Sequence, residues 1–322
     1  MVTPIFIFSL PRSGSTLSQR ILAAHKDVST VSESHILLPY FYTLREHGVY
    51  SEYFHAYTAK GIRAFCQELP NGEDDYLKEL QEFILRLYTK AADNARYFID
   101  KAGAYHLIVE EIISLFEEAK FIFLWRNPLS VIASLMESWR DGKWNLHEHY
   151  IYLFDGLAQL VEAYKRHSDH VCAVRYEDLV SQPTAEWPRV FEYLDLQFEP
   201  EFLSRFVETE LHGDLGDQPG MHRYQQLSTE PLGKWKSTLT NPVRKLWCRH
   251  YLEFIGQERL KIMGYDLESL VSDLKSVPLN LRFLSSDLFH IPYGIAYRYA
   301  EGKIVKDKLN RWRTGQRIYL HH

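Results

Sequence analysis

Apolar and polar residues follow two different patterns along the chain, one typical of strands and one typical of helices. Apolar runs rich in β-branched and aromatic residues predict strands at residues 4–10, 97–100, 120–125 and 170–175. Apolar residues at helical spacing predict helices at residues 16–24, 76–94, 106–119, 150–167 and 242–263, with two more beginning at Pro128 and Pro183. Strands and helices therefore alternate, which predicts an α/β fold with a central parallel sheet flanked by helices. In such folds ligands bind at the carboxyl ends of the strands.

Two segments interrupt this alternation. Residues 209–242 contain four glycines and three prolines and show little periodicity, which indicates a long functional loop or cover. Residues 298–317 carry seven Lys or Arg residues against two acidic ones, so they form either a solvated helix or a contact with a membrane surface or an acidic substrate. Because no internal repeat or low-complexity linker is visible, we expect a single domain over residues 1–322.

The composition excludes several classes of protein. A formal net charge of −5 argues against a general nucleic-acid binder, which needs a surplus of Lys and Arg to neutralise phosphates. The three cysteines are widely spaced, so we expect neither a disulfide framework nor a cysteine metal site. No apolar run approaches the roughly 18 residues of a transmembrane helix. We therefore expect a cytoplasmic protein.

The segment FIFSLPRSGSTLSQRIL predicts an anion-binding loop. A strand here passes through a small-residue turn into a helix, so that unpaired backbone amides and the positive end of the helix dipole face an anion. Gly14 permits close approach of the backbone, Ser13, Ser15 and Thr16 offer hydroxyl donors, and Arg12 adds a charged fork.

This loop departs from the nucleoside-triphosphate loop GxxxxGK[ST]. Gly14 and Thr16 match that pattern, but Ser15 replaces its lysine and Ser9 replaces its first glycine. The departure weakens the interpretation as a kinase-like phosphoryl transferase, which would use Mg²⁺. A nucleotide-binding module without catalysis is a further alternative.

The string PRSGSTLSQRIL resembles the loop that binds the 5′-phosphosulfate in sulfotransferases that depend on 3′-phosphoadenosine 5′-phosphosulfate (PAPS), above all bacterial-type members and the tyrosylprotein group. The resemblance covers residues 4 to about 264 and leaves 265–322 as an extension of unknown role. It implies a P-loop-like sheet with the sulfotransferase fold. It also implies transfer of a sulfuryl group from PAPS to an acceptor hydroxyl, without a metal, and cofactor-binding roles for residues 12–16.

A second pair of residues strengthens the resemblance. Arg126 follows the apolar run FIFLW, and Ser134 lies eight residues later, about two turns along the predicted helix. An arginine and a serine at this spacing resemble the family's site for the 3′-phosphate of PAPS. The resemblance therefore assigns the 3′-phosphate to Arg126 and Ser134.

Sulfuryl transfer needs a base for the acceptor hydroxyl and donors around the sulfonate. Glu33 follows the loop at the distance where tyrosylprotein sulfotransferases place their catalytic glutamate, so we expect it to be the general base, with His35 as the competing base. The resemblance assigns the sulfonate to Lys101, Ser228 and Arg12. It assigns Lys234 to a loop that closes over the donor, and Tyr224 is a candidate for stacking on the adenine.

The acceptor is less constrained. His35 stands where tyrosylprotein sulfotransferases have an arginine that contacts the acceptor peptide, which disfavours a protein-tyrosine acceptor. The breadth of the family suggests a carbohydrate or a lipid-linked hydroxyl instead. We expect the acceptor contacts in residues 37–64, where tyrosines and phenylalanines cluster, unless those residues belong to the core.

Overall fold

A computed structural model describes residues 1–213, 215 and 226–316. Its centre is a parallel sheet whose strands within these ranges are β1 (Thr3–Ser9), β2 (Val28–Thr30), β3 (Tyr97–Asp100), β4 (Lys120–Trp125) and β5 (Cys172–Arg175). The strand order is β2-β3-β1-β4-β5, and each neighbouring pair is parallel. The predicted α/β fold is confirmed.

Helices cover the sheet on both sides. Those before β5 are α1 (Ser15–Ala23), α2 (Leu37–Tyr42), α3 (His55–Gln67), α4 (Glu73–Ala91), α5 (Val109–Leu115), α6 (Pro128–Arg140) and α7 (Leu157–His167). Those after β5 are α8 (Tyr176–Ser181), α9 (Pro183–Tyr193), α10 (Phe202–Arg205), α11 (Glu230–Gly233), α12 (Trp235–Thr238), α13 (Pro242–Ile262), α14 (Leu267–Ser276), α15 (Leu284–Tyr299) and α16 (Gly302–Arg313). Short 3₁₀ turns lie at Tyr105–Ile108, Leu146–His149, Ser168–His170 and Phe206–Glu208, and one π-helical turn lies at Tyr152–Gly156. No helix in the described ranges is long and apolar enough to cross a bilayer.

Two predicted helices have irregular beginnings. The helix expected at 106–119 begins as a 3₁₀ turn, and the helix expected at 150–167 passes through the π-helical turn before α7. At this turn Gly156 packs so closely on the buried ring of His106 that a Cβ would lie 2.6 Å from its Cδ2. Hydrophobic periodicity describes only one helix at a time, so it could not predict this contact or the irregular turn.

The two faces of the sheet have different packing. Phe6, Phe8 and Phe121 lie on one face, with ring centroids 5.9 to 6.3 Å apart. Ile5 and Ile7 alternate with these phenylalanines along β1 and belong to the cluster on the other face. Because helices cover both apolar faces, the sheet offers polar chemistry at its edges and at its strand ends.

The carboxyl ends of the strands carry the charged residues that the sequence singles out. Lys101 directly follows β3, and Arg126 directly follows β4. The β1–α1 loop, which contains Arg12, begins at the same edge. Parallel strands thus bring three cations from distant parts of the chain to one side of the sheet.

A buried ion pair fastens the C-terminal helices to the rest of the chain. The side chains of Arg244 in α13 and Asp287 in α15 are 1% and 0% exposed, and Arg244 Nε lies 2.6 Å from Asp287 Oδ2. The guanidinium also donates to the carbonyl oxygens of Thr238 and Gly142, at 2.9 and 2.7 Å. The extension is therefore tied to the segments that follow α6 and end α12.

Candidate functional site

The β1–α1 loop turns sharply at two residues with left-handed backbone. Arg12 has φ 67° and Gly14 has φ 95°. A Cβ at Gly14 would lie 2.3 Å from Cδ2 of Tyr176, so glycine is required for both conformation and space. Gly14, Ser15 and Thr16 line a cavity, which we call the first cavity. The N-terminus of α1 therefore borders this cavity, as the predicted anion-binding loop requires.

Glu33 lines the same cavity and has three polar neighbours. Lys101 Nζ donates to Glu33 Oε1 at 2.8 Å, and the lysine side chain is only 4% exposed. His35 Nε2 lies 3.4 Å from Glu33 Oε2, and the amide of Gly103 lies 3.5 Å from the same oxygen. The two candidate bases, Glu33 and His35, are therefore in contact with each other.

These neighbours decide the ionisation of Glu33. Burial by itself opposes ionisation, but the hydrogen bond with His35 and the charge and hydrogen bond of Lys101 outweigh it and lower the pKa of Glu33 to about 2. The side chain is consequently a carboxylate at neutral pH. Its strength as a base depends on the position of the lysine charge, because that charge stabilises the ionised form.

The chain around Glu33 is anchored by a buried carboxyl group. Asp100, at the end of β3, accepts hydrogen bonds from Ser34 Oγ at 2.8 Å and Tyr105 OH at 2.7 Å, and it also accepts one from Tyr88 OH. Burial raises the pKa of Asp100, although these hydrogen bonds oppose the rise. Because Ser34 directly follows Glu33, this network fixes the backbone that carries the candidate base.

Aromatic side chains form another wall of the first cavity, whose volume is about 360 Å³. The rings of Trp139 and His149 stack with centroids 4.6 Å apart, and the guanidinium carbon of Arg12 lies 5.8 Å from the centre of the Trp139 ring. Burial lowers the pKa of His149 to about 4, so this imidazole is neutral at pH 7. The wall therefore presents a flat, uncharged surface beside a cation.

The rest of this wall comes from the middle of the chain and from its C-terminal extension. Glu148 and Tyr152 lie near the π-helical turn, and Lys303 lies in the first turn of α16. Among the described residues that line the first cavity, none comes from residues 37–64. The sequence analysis placed the acceptor contacts in residues 37–64, whereas this wall of the first cavity comes from α6, the turns after it and the C-terminal extension.

A second cavity of about 340 Å³ lies beside α6. Arg126, Ser130 and Ser134 line it, and the guanidinium carbon of Arg126 lies 4.3 Å from the centre of the Tyr176 ring. Arg126 Nε and Ser130 Oγ are buried and have no hydrogen-bond partner among the described residues. Buried donors without partners are costly, so a ligand with acceptor oxygens is expected to satisfy them.

Arg12 joins the two cavities, since it lines both. Its Nε donates to Ser134 Oγ at 3.2 Å, and its carbonyl oxygen accepts a hydrogen bond from Arg126 Nη1 at 2.6 Å. The loop and the segment after β4, separated by more than a hundred residues in sequence, therefore form one continuous site.

The remaining predicted residues are distributed as follows. Ser228 and Lys234 line the second cavity, not the first, and Lys234 Nζ pairs with Glu230 at 2.9 Å. Ser13 is buried within the loop. Tyr224 lies outside the described residues. Ser228, expected at the sulfonate with Lys101, thus lies on the side of Arg126.

The sequence analysis did not predict several residues that line the two cavities. Ser130 precedes Ser134 by one helical turn and faces the same cavity, so a search for a second hydroxyl at this spacing would have found it. Trp139 and Lys303 carry no such signal, because their position in the first cavity depends on tertiary packing. Within the described ranges, no group of three or more His, Cys, Asp or Glu side chains is arranged to hold a metal ion.

Comparison with known proteins identifies relatives of this chain. The chain is 32% identical over 137 residues to nodulation protein NoeE of Sinorhizobium fredii, which corresponds to 42% of this chain and 31% of that protein. It is 27% identical over 323 residues to a protein-tyrosine sulfotransferase of Drosophila melanogaster, covering 95% of this chain and 56% of that protein. The chain thus spans about a third to just over half of the length of these two relatives.

Solved structures agree on the fold. The sulfotransferase domain from the curacin biosynthetic pathway superimposes with a TM-score of 0.54 at 24% identity, covering 83% of this chain and 99% of that domain. A model of the sulfotransferase family matches residues 4–200, a span that includes the loop of Arg12, both Glu33 and Lys101, and the helix that carries Ser134. Because this match extends over more than half of the sequence, the chain belongs to the sulfotransferase family.

Proposed function

We propose that the protein transfers a sulfuryl group from PAPS to an acceptor hydroxyl. One observation carries the proposal: the two cavities meet at Arg12, and the second contains buried donors, Arg126 Nε and Ser130 Oγ, that have no hydrogen-bond partner among the described residues. A nucleotide with phosphates at both ends suits this arrangement, whereas a 5′-nucleotide alone leaves the second group of donors unsatisfied.

The donor set supports a 3′-phosphate in the second cavity. A guanidinium and two hydroxyls, those of Ser130 and Ser134, can donate to several phosphate oxygens at once. The amides of Gly14 and Ser15, the hydroxyl of Thr16 and the N-terminus of α1 suit the 5′ side. Bound PAPS would supply the sulfuryl group and a stabilised leaving phosphate.

We assign the proton of the acceptor hydroxyl to Glu33. The carboxylate is ionised, lines the first cavity and contacts Lys101 and His35. In an in-line displacement the acceptor oxygen bonds to sulfur as the bond from sulfur to the phosphate oxygen breaks, and the released proton passes to Glu33. Lys101 would also interact with the sulfonate, whose negative charge competes with that of Glu33 for the lysine ammonium.

A carbohydrate or lipid-linked hydroxyl is the acceptor we favour. Trp139 and the neutral His149 give the first cavity a flat wall, while Glu148 and Lys303 add polar groups at its edge. Stacking surfaces with a few polar groups are suited to a ring that carries several hydroxyls. Arg12 and Lys303 line the same cavity, where a phosphate- or sulfate-bearing acceptor would meet positive groups.

Transfer of labelled sulfuryl groups from PAPS tests the proposal. Purified protein is incubated with labelled PAPS and a panel of glycans, lipids and phenols, with and without EDTA, and in parallel with labelled ATP. The proposal predicts labelled product from PAPS that persists in EDTA and none from ATP. Transfer from ATP that requires Mg²⁺ would establish the kinase-like alternative, and tight PAPS binding without any turnover would establish the non-catalytic one.

A further inference from the structure

The C-terminal helices expose an unusual number of large apolar side chains. On α15 these are Leu288, Phe289, Ile295 and Tyr299, which lie on one face of the helix together with Pro292. The opposite face faces the rest of the chain, since Asp287 and Gly294 are buried. Isolated exposed apolar residues need no explanation, but a continuous apolar face does.

The following helix, α16, also exposes an apolar side. Val305, Leu309 and Trp312 of α16 lie at helical spacing and are exposed, with Trp312 at 70%. Asp307 and Arg311 are half-buried on the other side and pair at 2.7 Å. The apolar side of this helix therefore faces outward, opposite to the orientation of an ordinary surface helix. We call the exposed faces of α15 and α16 the outer face.

Positive charge accompanies the outer face. Residues 298–313 contain six Lys or Arg side chains and two acidic ones, whereas the whole chain has a net charge of −5. Lys306 and Arg313 are exposed beside the apolar residues of α16. An apolar stripe flanked by cations and carrying Trp and Tyr is typical of helices that lie in the interface of an anionic membrane.

Two other arrangements fit less well. A symmetric pair of copies would bring Lys306 and Arg313 of one chain against the same positive region of its partner, which is unfavourable. Spanning the bilayer is excluded by length, because α15 has 16 residues and α16 has 12, fewer than the roughly 20 that the hydrocarbon core requires. A helix pair of this kind lies on the membrane surface.

We propose that the outer face docks the protein on an anionic membrane surface. Lys303 connects this docking to the candidate site, because it lines the first cavity while Val305, two residues later, belongs to the outer face. A docked protein would hold the first cavity close to the lipid headgroups. The acceptor class that follows, a hydroxyl on a lipid-anchored molecule, rests on the proposed function, whereas the docking itself does not.

Vesicle co-sedimentation of the full chain tests the docking. The probes are vesicles of phosphatidylcholine alone and of phosphatidylcholine mixed with phosphatidylglycerol. We expect the protein to bind the mixed vesicles, to bind phosphatidylcholine weakly and to be released by high salt. The double variant Leu309→Glu/Trp312→Glu should weaken binding about tenfold or more, since it removes two inserted apolar groups and adds repelling charge.

A matched control separates this effect from general surface chemistry. Phe65→Glu changes a similarly exposed aromatic residue on α3, outside the outer face, and should leave vesicle binding unchanged. Equal binding to both vesicle types, or equal losses in the two variants, would overturn the proposal. Sedimentation equilibrium without lipid gives the other outcome: a dimer that the Leu309/Trp312 variant dissociates, with no vesicle binding, assigns the outer face to a second copy.

The docking and the proposed function can fail separately. Calorimetric binding of 3′-phosphoadenosine 5′-phosphate should be the same in wild type and in Leu309→Glu/Trp312→Glu, because neither residue lines the first or the second cavity. Vesicle binding without sulfuryl transfer would leave the docking intact and refute the enzyme. Transfer to soluble acceptors without vesicle binding would do the reverse.

Discussion

Glu33 and Lys101 form an ion pair, and the lysine charge affects how strong a base Glu33 can be. Their contact of 2.8 Å helps to keep Glu33 ionised with a pKa of about 2, which makes the carboxylate a weak base. A general base works best when its pKa is near the operating pH. In the proposed mechanism a bound sulfonate would compete with Glu33 for the lysine charge, which would raise the pKa of Glu33 and make the candidate base stronger.

Replacement of the candidate base gives the first prediction. Glu33→Gln keeps the size of the side chain but removes its capacity to accept a proton, so turnover should fall by about 10²- to 10⁴-fold. Calorimetric affinity for 3′-phosphoadenosine 5′-phosphate should stay close to that of wild type. His35→Gln serves as the matched variant, and a larger loss of turnover in it than in Glu33→Gln would transfer the role of base to His35.

The pH dependence gives the second prediction. Because the pKa of Glu33 is lowered, its charge is present above about pH 2 and is lost only as pH falls through that value. The free enzyme should therefore show no decline of kcat/KM attributable to Glu33 between roughly pH 8 and 5, the range in which histidines change charge. A decline there that His35→Gln abolishes would contradict the assignment.

Lys101→Met sharpens that test. Burial of Glu33 remains in this variant, whereas the charge and hydrogen bond that favour its ionised form are lost, so the pKa of Glu33 should rise. The carboxyl titration, followed by NMR with labelled glutamate, should move to higher pH than in wild type. An unchanged titration would mean that His35 and the amide of Gly103 set the ionisation of Glu33 without Lys101.

At the scale of elements, local pattern was enough to locate most of the sheet and the loop. The strands at 97–100 and 120–125 have the predicted bounds because they are short apolar runs at the centre of the sheet. The loop of Arg12 could be predicted from the sequence, because its conformation is local and depends on its own small residues and glycine. Trp139 and Lys303 could not be predicted from the sequence, since only the packing of α6 and α16 brings them to the first cavity.

The third prediction concerns the β1–α1 loop. Gly14→Ala places a Cβ 2.3 Å from the Tyr176 ring at a φ of 95°, so the free energy of unfolding should fall by about 2 kcal/mol or more and donor affinity should fall with it. Gly61→Ala is the matched control. Gly61 lies inside α3 with open space around it, so alanine should stabilise by about 0.5 to 1 kcal/mol. Urea unfolding that ranks the two variants in the opposite order would refute this account of the loop.

At the scale of the whole molecule, the C-terminal extension has a part in the site. The family match ends at residue 200, yet α16 supplies Lys303 to the first cavity, and α15 packs on the turn that carries His149. The buried pair of Arg244 and Asp287 holds this extension in place. Attachment of the extension and completeness of the first cavity are therefore coupled.

Breaking the buried pair gives the fourth prediction. Asp287→Ala leaves the Arg244 charge buried without its partner, so the free energy of unfolding should fall by about 3 to 5 kcal/mol. Asp307→Ala breaks another Asp–Arg pair, with Arg311, but on the partly exposed surface of α16, and should cost about 0.5 kcal/mol or less. Urea denaturation measures both, and similar costs for the two variants would show that Asp287 does not anchor the extension.

The proposed function depends on one ligand bridging the two cavities that meet at Arg12. Isothermal titration calorimetry of 3′-phosphoadenosine 5′-phosphate and of 5′-AMP, on wild type and on Arg126→Ala, tests this directly. We predict that wild type binds the bisphosphate at least about tenfold more tightly than 5′-AMP, because the 3′-phosphate meets Arg126, and that Arg126→Ala removes most of the difference. Equal affinities of wild type for the two nucleotides, or a preference that Arg126→Ala leaves intact, would contradict the account.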